Sequence, residues 1–201
     1  MVSMNSRILW LIGMILAAVP THAQLSPTVA QAEGPYYPVA KPVDRDHDLT
    51  MVAGQARGAQ GEVMLLTGRV VTVSGAPVSG VIVGIWQTDH QGVYLHPGDP
   101  GYAGRDRAFQ GYGESVTDAA GRYGFRPILP QLYGSRPRHV HVKVVRGGRQ
   151  LLTTQFYFAG GDRISTDGVG GGADVPVLQL DHGSESGRPA MRASYDIVLG
   201  P

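Results

Sequence analysis

Beyond residue 24, no stretch of ten residues carries apolar side chains every three or four positions, so nothing there reads as an amphipathic helix. The chain instead presents short runs rich in β-branched and aromatic residues: Val63–Val73, Gly80–Gln87, Arg122–Arg126, His139–Arg146, Leu151–Phe158, Val175–Leu180 and Ala193–Leu199. Between them stand Ser74-Gly75-Ala76-Pro77, Asp89-His90-Gln91-Gly92, Asp118-Ala119-Ala120-Gly121 and Gly147-Gly148. Glycine opens positive φ, Asp bonds its own backbone and Pro fixes φ, so these are turns with a mechanism. Strands with no helices between them predict an all-β fold, a β-sandwich of about seven to eight strands over residues 61–201. Residues 24–60 have few apolar runs and read as an irregular N-terminal arm containing Glu33-Gly34-Pro35-Tyr36-Tyr37-Pro38. Ala159–Asp174 holds six glycines and reads as a long mobile loop.

Composition narrows the function. The 201 residues carry 17 Lys and Arg against 16 Asp and Glu, a balance that points away from nucleic acid and from a basic membrane-surface role. There is no Cys, which excludes disulfides, thiol catalysis, and Cys-held zinc or iron–sulfur clusters. Arg7 is the one charge in residues 1–23 and precedes a 12-residue apolar run, Ile8–Val19. A bilayer span takes roughly 20 residues, so a retained anchor is not expected. Pro20-Thr21-His22-Ala23 places small residues for a cut after Ala23, the pattern of a secretory signal peptide over residues 1–23. The expectation is an exported protein, periplasmic or secreted, with no membrane attachment after cleavage.

The chemistry gathers around His139-Val140-His141-Val142-Lys143-Val144. Strand side chains alternate faces, so His139, His141 and Lys143 share one face and the valines the other. Two imidazoles about 6–7 Å apart at their Cα atoms can reach one metal ion. No Glu lies within the twenty residues after His141, which weakens a cupin type of site, although a carboxylate from elsewhere stays open. Tyr is plentiful, at nine. Tyr133 precedes the strand, and Tyr94 follows the turn Asp89–Gly92. Phenolates are hard anionic donors, and two of them with two neutral imidazoles suit Fe(III) better than Zn(II) or Cu(I).

The residues also carry a family resemblance. GRVV, GAPVSGVIVGIWQTDHQGVY, FQGYG, TDAAGRYGFRPILPQLYGSRPRHVHVKV and LLTTQFYF, in that order, resemble the intradiol ring-cleavage dioxygenases. The arm motif EGPYYP is similar to that of the protocatechuate 3,4-dioxygenase branch. The likeness runs from about Ala32 to Phe158, with an echo at Tyr195–Leu199, and Tyr-x-x-Arg-x-x-His-x-His at 133–141 is its most specific element.

The resemblance implies a β-sandwich catalytic domain with a non-haem Fe(III) ion held by Tyr94, Tyr133, His139 and His141. It implies that Arg136 stabilises negative charge developing on a bound catecholate, and that Gln155 sits close behind iron and substrate. It implies that Trp86 lines the pocket and that Tyr36 reaches the substrate if the arm folds back. The implied partners are a small catechol and dioxygen, the implied product a muconate-type diacid, and a homo-oligomer is compatible with the family. One departure stands out: Tyr133 and His139 are closer in sequence than in the best-known members, so the loop over the site is trimmed. The alternative is a secreted transthyretin-like sandwich that binds without catalysing. A copper–zinc superoxide dismutase would need more histidines and a disulfide.

N-terminal sequencing of the exported protein should read from Gln24. A mature chain still carrying residues 1–23 would contradict the signal-peptide reading.

Overall fold

The computed structural model describes residues 24–161, 164, 167, 168, 172 and 174–201. The expected signal peptide lies outside the described residues. Strand β5 (His139–Arg146) runs between β2 (Ile82–Trp86) and β6 (Arg149–Phe158), antiparallel to both. β3 (Tyr112–Val116) and β7 (Val177–Leu178) complete that sheet in the order β3-β2-β5-β6-β7. The second sheet is built on β1 (Met64–Thr72), with β4 (Arg122–Phe125) antiparallel to it. β9 (Arg188–Ser194) and β10 (Ile197–Leu199) run parallel to β1, and β8 (Asp181–Glu185) edges β9. The all-β sandwich is therefore as the sequence predicts, with ten strands among the described residues rather than seven or eight.

The alternation of β5 fixes what lies on each side. Val140, Val142 and Val144 are fully buried with Val83, Ile85 and Phe156 against Met64, Leu66, Val70, Phe125 and Ile197 of the other sheet. Each such side chain contributes about 1.5–3 kcal/mol of burial. His139, His141 and Lys143 are thereby turned to the outer face of their sheet. A second, aromatic cluster sits on this face, with Trp86, Tyr94 and Tyr112 buried and Tyr36, Tyr37 and Tyr133 packed on them.

Two strands are missing from the sequence reading, β3 (YGESV) and β8 (DHGSE). Both are too polar to register as apolar runs, and each closes the edge of a sheet, where charge discourages pairing with another chain. The run read as Ala193–Leu199 holds β10 and only the last two residues of β9, whose first five, Arg188–Arg192, the sequence reading also left out. At the break between the two strands, Tyr195 O accepts from Tyr123 Oη (2.7 Å), and Asp196 takes the Arg69 backbone N–H (2.9 Å) and guanidinium (2.7 Å). Gly68 of β1 faces this break, and a Cβ there would stand 1.9 Å from Tyr195 O.

The arm is fastened to the body. Gln31 donates its backbone N–H to Thr153 O (2.9 Å) and its side-chain amide to Thr154 Oγ1 (3.0 Å) along β6. Further on, Leu49 is fully buried in the sandwich core, and Gln110 donates its backbone N–H to Leu49 O (2.9 Å). Residues 32–38 cross the outer face between these anchors.

Gly68→Ala should lower unfolding stability by at least about 2 kcal/mol, because backbone has to move to admit the methyl group. Denaturant midpoints at constant slope measure it, and an unchanged midpoint would contradict the close approach of Gly68 to Tyr195 O.

Candidate metal centre

The register across the central strands brings distant sequence positions into rows. Trp86 of β2 pairs with His141, which pairs with Gln155 of β6, and His139 pairs with Tyr157. Cross-strand partners share a face, so these five side chains project together from the outer side. Both imidazoles are buried, and Trp86 lies flat on the His141 ring, with centroids 4.8 Å apart and planes 9° apart. Trp86 thus backs an imidazole.

The two tyrosines arrive on loops built by local bonds. Asp89 accepts from the backbone N–H groups of Gln91 (2.8 Å) and Val93 (3.1 Å), and Asp99 accepts from that of Tyr94 (3.0 Å). These carboxylates fix the entry and exit of the Tyr94 loop. Arg136 donates its backbone N–H to Tyr133 O (3.0 Å), closing a turn that carries Gly134 at φ 58°. The short spacing noted in the sequence is this turn, and Tyr133 and Arg136 flank it.

Tyr94 Oη lies 2.8 Å from His139 Nε2 and 3.1 Å from His141 Nε2. His139 Nδ1 is 2.7 Å from Pro137 O, and a carbonyl only accepts, so Nδ1 carries the proton. Nε2 then offers a lone pair, as its 3.0 Å contact with the Arg136 guanidinium also requires. The Tyr133 ring stands edge-on to Tyr94 (5.2 Å), and its hydroxyl donates to Tyr36 Oη (2.7 Å). Tyr94, His139 and His141 therefore converge on one point, with Tyr133 packed beside them.

The arm reaches the site. Tyr36 stacks on Tyr94 (5.1 Å), and Tyr37 packs edge-on against Trp86 (4.9 Å). Lys143, on the same face of β5 as the histidines, pairs with Glu33 and sits 3.7 Å above the Tyr37 ring. Gly34 passes so close that a Cβ would be 3.2 Å from His141 Cε1, and its φ of 75° also favours glycine. Gln155 ties arm to site, donating to Ala32 O (3.1 Å) and accepting from Arg136 (2.6 Å). Of the remaining described histidines, His96 comes near, its ring 5.5 Å from that of Tyr36.

Sequence reasoning missed Asp167. It grips the Arg136 guanidinium through Nε (3.0 Å) and Nη2 (2.6 Å) and accepts from Tyr157 Oη (2.8 Å). It lies in the glycine-rich segment 159–174, where no periodicity marks a functional side chain; its partner in β6, Tyr157, was visible only as a strand residue.

A scan against protein families matches residues 32–201 to Dioxygenase_C, described as a dioxygenase. This chain belongs to the intradiol ring-cleavage dioxygenase family. It is 35% identical over 171 residues to the beta chain of protocatechuate 3,4-dioxygenase from Burkholderia cepacia, covering 77% of this chain and 71% of that one. It is 31% identical over 188 residues to a chlorocatechol 1,2-dioxygenase from a Pseudomonas strain, covering 82% and 68%. Among solved structures, the dioxygenase domain of a dioxygenase–carbohydrate-binding fusion from Streptomyces sp. SirexAA-E is 32% identical, with a TM-score of 0.66. That match covers 87% of this chain and 99% of that one.

The donor set of this intradiol dioxygenase fits a metal ion. Two donors each about 2.0–2.1 Å from one ion, at right angles, sit about 2.9 Å apart, and the Tyr94–imidazole separations of 2.8 and 3.1 Å match that edge. Among the described residues no group of three His, Asp or Glu is placed to hold an ion, so further donors would come from tyrosine. Burial, reinforced by the nearby Arg136 charge, lowers the His139 pKa to about 4, and burial with the His139 neighbour holds His141 well below its usual value. Both imidazoles are thus neutral donors at ordinary pH. Burial pushes the Tyr94 phenol well above its usual range, and burial with the Tyr36 hydrogen bond does the same for Tyr133. A cation at the convergence point would reverse that preference and draw out the phenolates.

The lowered His139 pKa has a consequence for the metal-free protein. An unfolded His takes up its proton near pH 6.5, while this folded one does so near 4. The stability it contributes is complete above the unfolded value and is lost as pH falls toward the folded one, on the order of 3 kcal/mol. Denaturant titrations of metal-free protein at about pH 7.5 and about pH 4.5 should differ accordingly, with His139→Gln flattening the slope. No pH dependence across that interval would contradict a buried neutral imidazole.

Proposed function

We propose that this chain cleaves a catechol-type ring between its two hydroxylated carbons with dioxygen, giving a muconate-type diacid. A non-haem Fe(III) ion held by Tyr94, Tyr133, His139 and His141 would serve the reaction. The observation that carries this reading is the approach of Tyr94 Oη to both Nε2 atoms, at 2.8 and 3.1 Å, on a face where each imidazole is neutral. Family membership supports it, as do relatives named for action on catechols and protocatechuate.

When bound, the ferric ion supplies Lewis-acid chemistry, orienting the two ring oxygens and drawing electron density from the ring. The protein supplies the rest. Pro137 O sets the His139 tautomer that leaves Nε2 as donor, and Trp86 holds the His141 ring in plane. Tyr94, fully enclosed, would be the fixed anionic donor once a cation draws out its phenolate. Tyr133 is more open and bonds Tyr36 through its hydroxyl, so its Oη is the group suited to take a substrate proton and hold it. Arg136 directs Nη1 toward the donor atoms while Gln155 and Asp167 hold its other nitrogens. That fixed cation lies where anionic charge would grow on the ring, an electrostatic contribution already oriented before reaction. Tyr36, stacked on Tyr94, roofs the site and excludes water. The balance is one catechol and one dioxygen, with both oxygen atoms entering the product. We further infer export, from the pattern of residues 1–23.

Protein reconstituted with ferric iron should consume one dioxygen per catechol and generate muconate absorbance. His139→Ala should lose tight iron binding and ring cleavage together, each by at least about 100-fold. Tyr133→Phe should retain iron, alter the visible phenolate band and lower turnover by about 100-fold or more. Iron-saturated protein that binds catechol without oxygen uptake would overturn the enzymatic reading and favour a binding module.

A further inference from the structure

The arm carries two adjacent tyrosines that meet different parts of the outer face. Tyr36 stacks on Tyr94 (5.1 Å) and accepts from Tyr133 Oη (2.7 Å). Tyr37 enters a seat built from three strands. Its ring stands edge-on to Trp86 of β2 (4.9 Å, 84°) and to Tyr112 of β3 (6.0 Å, 90°), and Lys143 Nζ of β5 lies 3.7 Å from its centroid. Edge-on rings and a cation over a ring face are the arrangements that the aromatic quadrupole favours.

Strand register builds the seat. Lys143, Gly84 and Glu114 are cross-strand partners in one row, and His141, Trp86 and Tyr112 form the next. The two rows are offset by two residues, so all six positions face the outer side. Gly84 has no side chain, and the Tyr112 ring lies close over it: a Cβ there would stand 3.0 Å from Tyr112 Oη. That hydroxyl donates to Glu114 Oε1 (2.7 Å), which fixes the ring. Lys143, its side chain 13% exposed, pairs with Glu33 of the same arm. Beyond the seat, Lys41 pairs with Glu114 (2.5 Å) and fastens the next stretch of arm.

We propose that Tyr37 is a positioning residue: seated among Trp86, Tyr112 and Lys143, it fixes the arm so that the neighbouring Tyr36 stays on Tyr94 and Tyr133 and keeps the donor set enclosed. This rests on the iron-binding part of the reading above and gives the arm its task within it. Tyr37 acts on the donors through Tyr36, the residue beside it in the chain.

Two readouts test it, one of them without metal. The sequence holds two tryptophans, Trp10 and Trp86, so in a Trp10→Phe background the fluorescence of metal-free protein reports on Trp86, which is buried against Tyr37. Tyr37→Ala should raise acrylamide quenching of Trp86 several-fold, while Tyr37→Phe, which keeps the ring, should match the parent. In iron-saturated protein, loss of iron to EDTA should be about tenfold faster for Tyr37→Ala, the size expected when aromatic and cation–π contacts are lost, and near wild type for Tyr37→Phe. Tyr36→Ala should also speed release, and adding Tyr37→Ala to it should change the rate little, since both remove one contact. Thermal midpoints identify a variant that fails to fold. Lys143→Met, which leaves every ring of the seat in place, then carries the same two measurements, with shifts in the same direction. Iron release from Tyr37→Ala at the wild-type rate would overturn the proposal alone, and so would unchanged quenching. An effect that adds in full to that of Tyr36→Ala would overturn it too, since that marks a residue acting by another route. Wild type that takes up no ferric iron would instead overturn the metal reading, and this proposal with it.

Discussion

The register of β5 between β2 and β6 is the constraint on which the rest of this molecule depends. Three valines on one face of that strand belong to the sandwich core, and the histidines between them have no choice but the opposite face. A slip of one residue would exchange the faces, burying two imidazoles and a lysine in the core and placing valines at the site. The burial that stabilises the sandwich therefore also enforces the geometry of the donor set. The same rows carry Trp86, Gln155 and Tyr157, so five positions spread along the chain are set by one pairing pattern.

Desolvation gives the site its chemical character. Enclosure keeps the imidazoles neutral and the phenols protonated, which leaves a cluster of strong donors with little charge of its own. Such a cluster favours a small, highly charged cation over water, because the ion alone reverses the electrostatic preference of the phenols. The arm is part of this enclosure. Glu33, Tyr36 and Tyr37 contact Lys143, Tyr94 and Trp86 respectively, and Gly34 permits the close passage over His141.

The sequence made the sandwich legible because its strands alternate and its turns carry glycine, proline and aspartate. His139 and His141 were legible for the same reason, as a period-two pair on a strand bounded by turns. Tyr94, Tyr133, Arg136 and Gln155 were reached through motif resemblance, since a lone tyrosine on a loop carries no local sign of its destination. β3 and β8 escaped because edge strands are stabilised by backbone pairing with polar side chains outward. The division of the last run into β9 and β10 depends on Gly68 and Tyr123, more than seventy residues upstream of it in the case of Tyr123, so no window of local sequence contains it. Asp167 was illegible because a carboxylate among glycines reads as solvated loop until Arg136 and Tyr157 are seen around it.

The most direct test of the central claim is resonance Raman spectroscopy of the iron-reconstituted protein, excited in its visible absorption band, for wild type, Tyr94→Phe and Tyr133→Phe. The account predicts enhanced tyrosinate ring modes in wild type, with a different subset lost in each variant. Stoichiometrically bound ferric iron without tyrosinate modes would contradict it.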